Sequence, residues 1–143
     1  MKRILHVVPF LVFLALCAAP AHAQITRIAG SGCSGAGFPT PTPTSAMIGT
    51  TVTFNGRICA GRMPGLFILG LTPVNVTVSP PLTCSACVLA TTPDIFLQSA
   101  VVSVPLPIPN DRRLIGLCFY VQTGCVTVRQ CLELDGALKV CIQ

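Results

Sequence analysis

Eight cysteines between residues 33 and 141 constrain this chain more than any other feature: Cys33, Cys59, Cys84, Cys87, Cys118, Cys125, Cys131 and Cys141. Their meaning depends on compartment, and residues 1–23 decide it. Lys2 and Arg3 form a charged start, Ile4 to Ala19 is almost unbroken apolar sequence, and Ala21-His22-Ala23 is a small-x-small cleavage site. That tripartite pattern reads as a secretory signal peptide cleaved after Ala23. A membrane anchor would want roughly 20 apolar residues, and Pro20 interrupts here. Lipid attachment at Cys17 is disfavoured by bulky Leu16 at the preceding position. An even number of cysteines in an exported chain implies a disulfide framework. Each bridge contributes about 2–4 kcal/mol, mainly by restricting the unfolded chain. The expected location is secreted, cell-surface or periplasmic, with no membrane span after cleavage.

Cleavage also removes both histidines, His6 and His22, and leaves seven basic and four acidic side chains, a balance of +3. The bases are scattered, which is not the clustered footprint of a nucleic-acid binder. Without histidine, a Ser-His-Asp or Cys-His catalytic arrangement is excluded. Four acids are few for a two-carboxylate hydrolase. Asp111 beside Arg112 and Arg113 reads as a solvated turn, and Glu133 and Asp135 as solubilising charges at a hairpin tip. Tyr120, the single tyrosine, reads as a buried ring with a hydrogen-bonded hydroxyl. No catalytic residue, cofactor site or metal site is assigned.

Cys84-Ser85-Ala86-Cys87 is a C-x-x-C motif. A redox pair would normally open a helix, and a zinc site would want a second close pair or histidines. Pro80-Pro81 precedes this motif and no second pair is so spaced, so each cysteine is expected to bridge elsewhere. Periodicity supports one specific pairing. Apolar residues fall on even positions in 126–134 and again in 138–142, with Asp135-Gly136 as a turn signal between them. A hairpin with the loop Asp135-Gly136-Ala137 keeps the two apolar faces together and sets Cys131 opposite Cys141. A Cys131–Cys141 bridge is therefore expected.

The rest of the chain is a series of short β signals. Thr51–Ile58 and Val74–Val78 alternate, Leu66–Leu71 is a continuous apolar run, and Ile95–Val104 and Leu114–Val121 are further strand candidates. Breakers such as Thr72-Pro73, Pro80-Pro81 and Pro93-Asp94 separate them, and no sustained helical period occurs. About seven short strands with frequent turns predict an all-β fold, an antiparallel β-sandwich with a barrel as alternative, stapled by disulfides. Three parts are expected: the leader 1–23, a Gly/Pro/Thr-rich segment 24–45, and the sandwich domain 46–143. In Pro105-Leu106-Pro107-Ile108-Pro109 the three prolines remove donors from one edge and leave those of Leu106 and Ile108 on the other. That suits an edge strand whose outer side must not recruit another chain. A proline-rich ligand motif fits less well, because Leu106 and Ile108 suit burial rather than display.

The segment Ile108-Pro109-Asn110-Asp111 through Tyr120-Val121-Gln122 resembles the most regular motif of an uncharacterised family of exported domains common in planctomycetes and related bacteria. Gly30-Ser31-Gly32-Cys33 resembles that family's GxGC element, and Phe67-Ile68-Leu69-Gly70 its FxxLG element. The resemblance covers roughly residues 30 to 143. It implies a secreted all-β domain, sometimes joined to larger surface proteins, and no known activity. The expected function is a non-catalytic structural or adhesive domain of the cell surface, with a cell-envelope protein or glycan as partner. The alternatives are an extracellular carbohydrate- or protein-binding module, or a C-x-x-C redox or metal protein. Glycan binding lacks the usual aromatic platforms, since the chain has no tryptophan. The loop Met63-Pro64-Gly65-Leu66-Phe67 is a candidate for apolar protein contact.

Overall fold

A computed structural model describes residues 25–59, 65–99 and 103–143. These form an all-β fold of antiparallel sheets with four disulfides. The strands are β1 (Ile25–Arg27), β2 (Gly32–Cys33), β3 (Thr40–Thr42), β4 (Thr51–Asn55), β5 (Gly65–Gly70), β6 (Pro73–Val78), β7 (Cys87–Thr91), β8 (Ile95–Ser99), β9 (Ser103–Pro107), β10 (Cys118–Val126), β11 (Leu132–Leu134) and β12 (Leu138–Cys141). A central sheet has the order β1-β12-β10-β5-β8, with β11 also on β10. Two three-stranded sheets, β3-β4-β9 and β2-β7-β6, complete the architecture.

The continuous apolar run of β5 is explained by burial on both faces of the central sheet. Phe67 and Leu69 point to one side, where they meet Val52 and Phe54 of β4, Phe119 and Val121 of β10, and Leu138 and Val140 of β12. Phe54 anchors this core, with its ring centroid 5.8 Å from Phe67 and 6.3 Å, edge-on, from Phe119. Ile68 points the other way and packs with Leu134 and Cys87, under β7 and β2.

The last third of the chain departs from the expected hairpin. β11 and β12 do not pair with each other; both run antiparallel to β10, one after the other. Asp135-Gly136-Ala137 is a β-bulge and not a turn: between the pairs Val121↔Leu138 and Gly124↔Leu134, three residues oppose two. The turn lies upstream. Thr127 N–H donates to Cys131 O (2.9 Å), Gln130 N–H donates to Thr127 O (2.9 Å), and Gln130 takes the left-handed conformation at φ 59°. This is a three-residue hairpin loop.

The bulge has a packing consequence. Even-numbered residues are apolar on both sides of it, yet Leu134 enters the core beneath β7 whereas Leu138 and Val140 enter the core beneath β4. One extra residue reverses which face the alternation serves. A single alternating stretch thereby feeds two cores. The change of partner strand, with β12 on β10 and not on β11, overturns the expected Cys131–Cys141 bridge. Cys141 lies opposite Cys118 and bonds to it, and Cys131, at the hairpin loop, bonds to Cys84.

Other strands follow their signals with adjustments. Ile95–Val104 is not one strand; β8 belongs to the central sheet and β9 to the sheet of β4. β5 and β6 face β8 and β7 as one long bent ribbon, with a register shift between Pro73 and Val76. In 114–121 the strand starts late, because Arg112–Leu114 is a 3₁₀ turn capped by Asp111. The segment 24–45, separated from the domain by composition, is integrated into it: β1, β2 and β3 each join a different sheet. β9 behaves as the prolines require. Pro105 and Pro107 sit opposite Thr53 and Thr51 and are exposed, while Ile108 N–H donates inward to Thr50 O at 2.8 Å.

Gln122 links the layers. Its side chain is fully buried; Oε1 accepts from Ala90 N–H (3.0 Å), and Nε2 donates to Val88 O (3.0 Å) and to Asp135 O (2.8 Å). The amide thus hydrogen-bonds to β7 and braces the bulge in one stroke. Gln122→Leu leaves these backbone groups unpaired, and a loss of about 2–4 kcal/mol is expected. Urea unfolding with bridges intact measures it; a change of a few tenths would refute the assigned role. Replacing Pro105 and Pro107 together by Thr restores two outward donors. Light scattering should then show concentration-dependent association that the parent chain lacks at this edge.

Candidate functional site

Charged side chains converge where the bulge meets the segment after β4. Arg57 Nη2 donates to Glu133 Oε2 at 2.7 Å, and its Nε lies 3.1 Å from Asp135 Oδ1. Glu133 and Asp135 stand two apart, so both carboxylates reach the same guanidinium. They are not equivalent. Glu133 is 40% exposed at its side chain, Asp135 only 3%. Asp135 Oδ2 accepts from Thr123 Oγ1 at 2.7 Å. The Nε–Oδ1 contact is close enough for charge compensation but lacks hydrogen-bond alignment, so Oδ1 has no directed donor among the described residues. Asp135 is therefore a buried structural anion, a correction to its expected role as a solubilising surface charge.

The bulge backbone is closely accounted for. Asp135 N–H donates to Thr123 O, Gly136 N–H to Gly37 O, and Ala137 N–H to Ser31 Oγ, each at 2.7 Å; Ala137 O accepts from Ile28 N–H at 2.9 Å. Two glycines make the approach feasible. A side chain at Gly32, which has φ +79°, would meet the Asp135 backbone 2.6 Å away, and one at Gly136 would run into the Phe38 ring. Gly32 and Gln122 therefore meet at the Asp135 backbone.

Two clefts flank the ion cluster. One, of about 170 Å³, is lined by Arg57, Ile58, Cys59, Thr127, Val128 and Glu133 among others; the second, of about 140 Å³, lies between Arg57, Glu133 and the Cys33–Ala36 loop. A third, of about 200 Å³, opens beside Arg27, Pro41 and Leu138. All three fall below the roughly 300 Å³ at which small-molecule pockets ordinarily begin. No group of three or more His, Cys, Asp or Glu suited to a metal ion occurs among the described residues.

The structure places all eight cysteines in bridges: Cys33–Cys87, Cys59–Cys125, Cys84–Cys131 and Cys118–Cys141. Cys84 and Cys87 of the C-x-x-C motif take different partners, so the motif holds no local dithiol. Cys59–Cys125 ties the segment after β4 to β10, and Cys84–Cys131 ties the β6–β7 connection to the hairpin loop. In the loop considered for apolar contact, Leu66 and Phe67 are buried in β5, and Met63 and Pro64 lie outside the described residues. Tyr120 is half-buried, opposite Gly70 and Lys139. Asp111 is held below the ordinary carboxylate value of 3.8, first by the Arg113 side chain and then by its backbone N–H. Any stability from that contact is present above the ordinary value and lost as pH falls through the lowered one.

Sequence reasoning counted Arg57 only as a scattered base and did not single out Thr123. Their positions carry no pattern, since Arg57 and Glu133 are brought together from 76 residues apart. No protein-family model, curated protein or solved structure matches this chain.

Arg57→Gln leaves Asp135 buried without its countercharge. Breaking a fully buried pair costs about 3–5 kcal/mol, but Arg57 is partly solvated, so a loss of roughly 1–2 kcal/mol is expected. Adding Asp135→Asn should recover most of it. Chemical denaturation of the single and double variants tests this, and a single variant as stable as the parent would contradict it.

Proposed function

We propose that this chain is an exported, non-catalytic structural or adhesive domain of the cell surface, cleaved after Ala23 and acting as a rigid module. The observation that carries the reading is the use of the cysteines. Every one between residues 33 and 141 is engaged in a bridge, and two of the bridges tie connecting segments, after β4 and between β6 and β7, to β10 and its hairpin loop. Four disulfides fit an oxidising compartment, and no described helix is long and apolar enough to cross a membrane. The acidic groups support the same reading. Glu133 and Asp135 are engaged by Arg57, Asp111 by Arg113, and Asp94 Oδ2 accepts from Leu71 N–H and Thr92 Oγ1. Each is accounted for by a structural contact among the described residues. A cell-envelope protein, or glycan fixed in the envelope rather than a soluble sugar, is the partner this reading implies.

The test uses the mature chain from an oxidising compartment. Alkylation and intact mass should find no free thiol, limited proteolysis should leave the folded part uncut, and a glycan panel should show no saturable binding to soluble sugars. Saturable binding to a soluble sugar or small molecule would overturn the structural reading in favour of a ligand-binding module.

A further inference from the structure

The four bridges differ in two independent respects: the span that the backbone imposes, and access from solvent. Cys118 and Cys141 are directly opposed in the β10–β12 ladder, and Cys33 and Cys87 in the β2–β7 ladder. Those ladders hold the Cα atoms 4.0 Å and 4.1 Å apart, under the roughly 4.4 Å at which disulfide spans ordinarily begin. Cys59–Cys125 and Cys84–Cys131, which join separate elements, span 5.5 Å and 5.0 Å. Access divides the bridges differently. Cys59 and Cys125 are buried, and Cys87 is only 1% exposed. Cys84, Cys131, Cys118 and Cys141 are all partly exposed. Only Cys118–Cys141 combines the short imposed span with access at both cysteines.

We infer that Cys118–Cys141 is a thiol–disulfide exchange site, open to external thiols while the rest of the domain stays folded. Three further features support it. The bridge closes the shortest loop of the four, with a sequence separation of 23 against 47, 54 and 66. It therefore restrains the unfolded chain least. The strands it joins do not depend on it. Phe119↔Val140, Tyr120↔Lys139 and Val121↔Leu138 remain paired, and Phe119, Val121, Leu138 and Val140 remain in the core. The chain beyond the bridge is held separately, with Gly116 N–H donating to Ile142 O and Ile142 N–H to Leu117 O, both at 2.9 Å. Among the described residues, Cys118 Sγ approaches only Gly116 O, at 3.7 Å, whereas Thr127 Oγ1 lies 3.3 Å from Cys84 Sγ and 3.2 Å from Cys131 Sγ and Cys84 N–H donates to Leu132 O, so the other accessible bridge is the more closely held.

The chemistry needs a dithiol reductant, either a small molecule or a thioredoxin-type protein. Its thiolate attacks one sulfur of the bridge, forming a mixed disulfide and releasing the other sulfur as a thiolate, which takes up a proton. The second thiol of the reductant then displaces the remaining cysteine. The reductant leaves as a disulfide, two electrons and two protons have been transferred, and Cys118 and Cys141 are thiols.

The experiment treats the fully oxidised chain, under native conditions, with graded dithiothreitol, then traps thiols by alkylation and maps them by peptide mass. Cys118 and Cys141 should be labelled about tenfold faster than any other pair. Near-ultraviolet dichroism should be retained at the stage when only these two are labelled. The C118S/C141S variant should lose the fast phase and keep the slower ones; if it fails to fold, the labelling order of the parent chain decides alone. First labelling at Cys84 and Cys131, or simultaneous labelling of all eight, would overturn the inference.

Discussion

The side-chain amide of Gln122 is the interaction on which the arrangement of layers depends. A backbone ladder joins strands within a sheet; it cannot join one sheet to another stacked upon it. Gln122 does so by extending an amide from β10 to the backbone of β7, where it accepts from Ala90 and donates to Val88. Its remaining donor holds Asp135 O, which fixes the bulge. Such a group is costly to bury unless satisfied, and it is satisfied here at both its oxygen and its nitrogen. The short sheet of β2, β7 and β6 has a small apolar core of its own, centred on Ile68, Cys87 and Leu134. Polar bracing and the Cys33–Cys87 bridge supply what that small core does not.

The bulge follows from the same constraint. A sheet covered on both sides must send apolar residues to both faces, yet the chain from Leu132 to Ile142 alternates with one phase. Inserting one residue against β10 switches the phase midway. The disruption exposes backbone groups; the three N–H groups meet Thr123, Gly37 and Ser31, and the carbonyls of Asp135 and Ala137 meet Gln122 and Ile28. Asp135 is the side chain left in this crowded place, and Arg57 comes from the segment after β4 to balance it. The charged cluster is thus a consequence of the packing rather than a separate feature. The bridges Cys59–Cys125 and Cys84–Cys131 lie around the same region and restrict how far its elements can separate.

Some of this was legible in the residues alone. Alternation in β4, the apolar run of β5 and the proline spacing of β9 each report a local requirement: a half-buried face, a doubly buried strand, an edge without outward donors. Such requirements act over a few residues, so they survive in sequence. Asp135-Gly136 shows where local reading stops. Both a hairpin turn and a bulge favour these residues, because both need short side chains and permissive backbone. The choice lay in what stood beside them, β10 rather than β12, and that partner is not encoded within the segment.

The sequence by itself determined an all-β chain with a disulfide framework, lacking histidine beyond residue 22 and bearing a proline-guarded edge. These are properties of composition and short-range period. Only the tertiary structure decided which cysteines pair, because pairing follows which strands meet: β12 lies on β10 and not on β11, which sets Cys141 opposite Cys118 and leaves Cys131 for Cys84. It likewise decided that Asp135 is buried and that Arg57 is its partner. Burial and long-range charge pairing depend on which layers meet, and residues separated by most of the chain carry no local mark of that meeting.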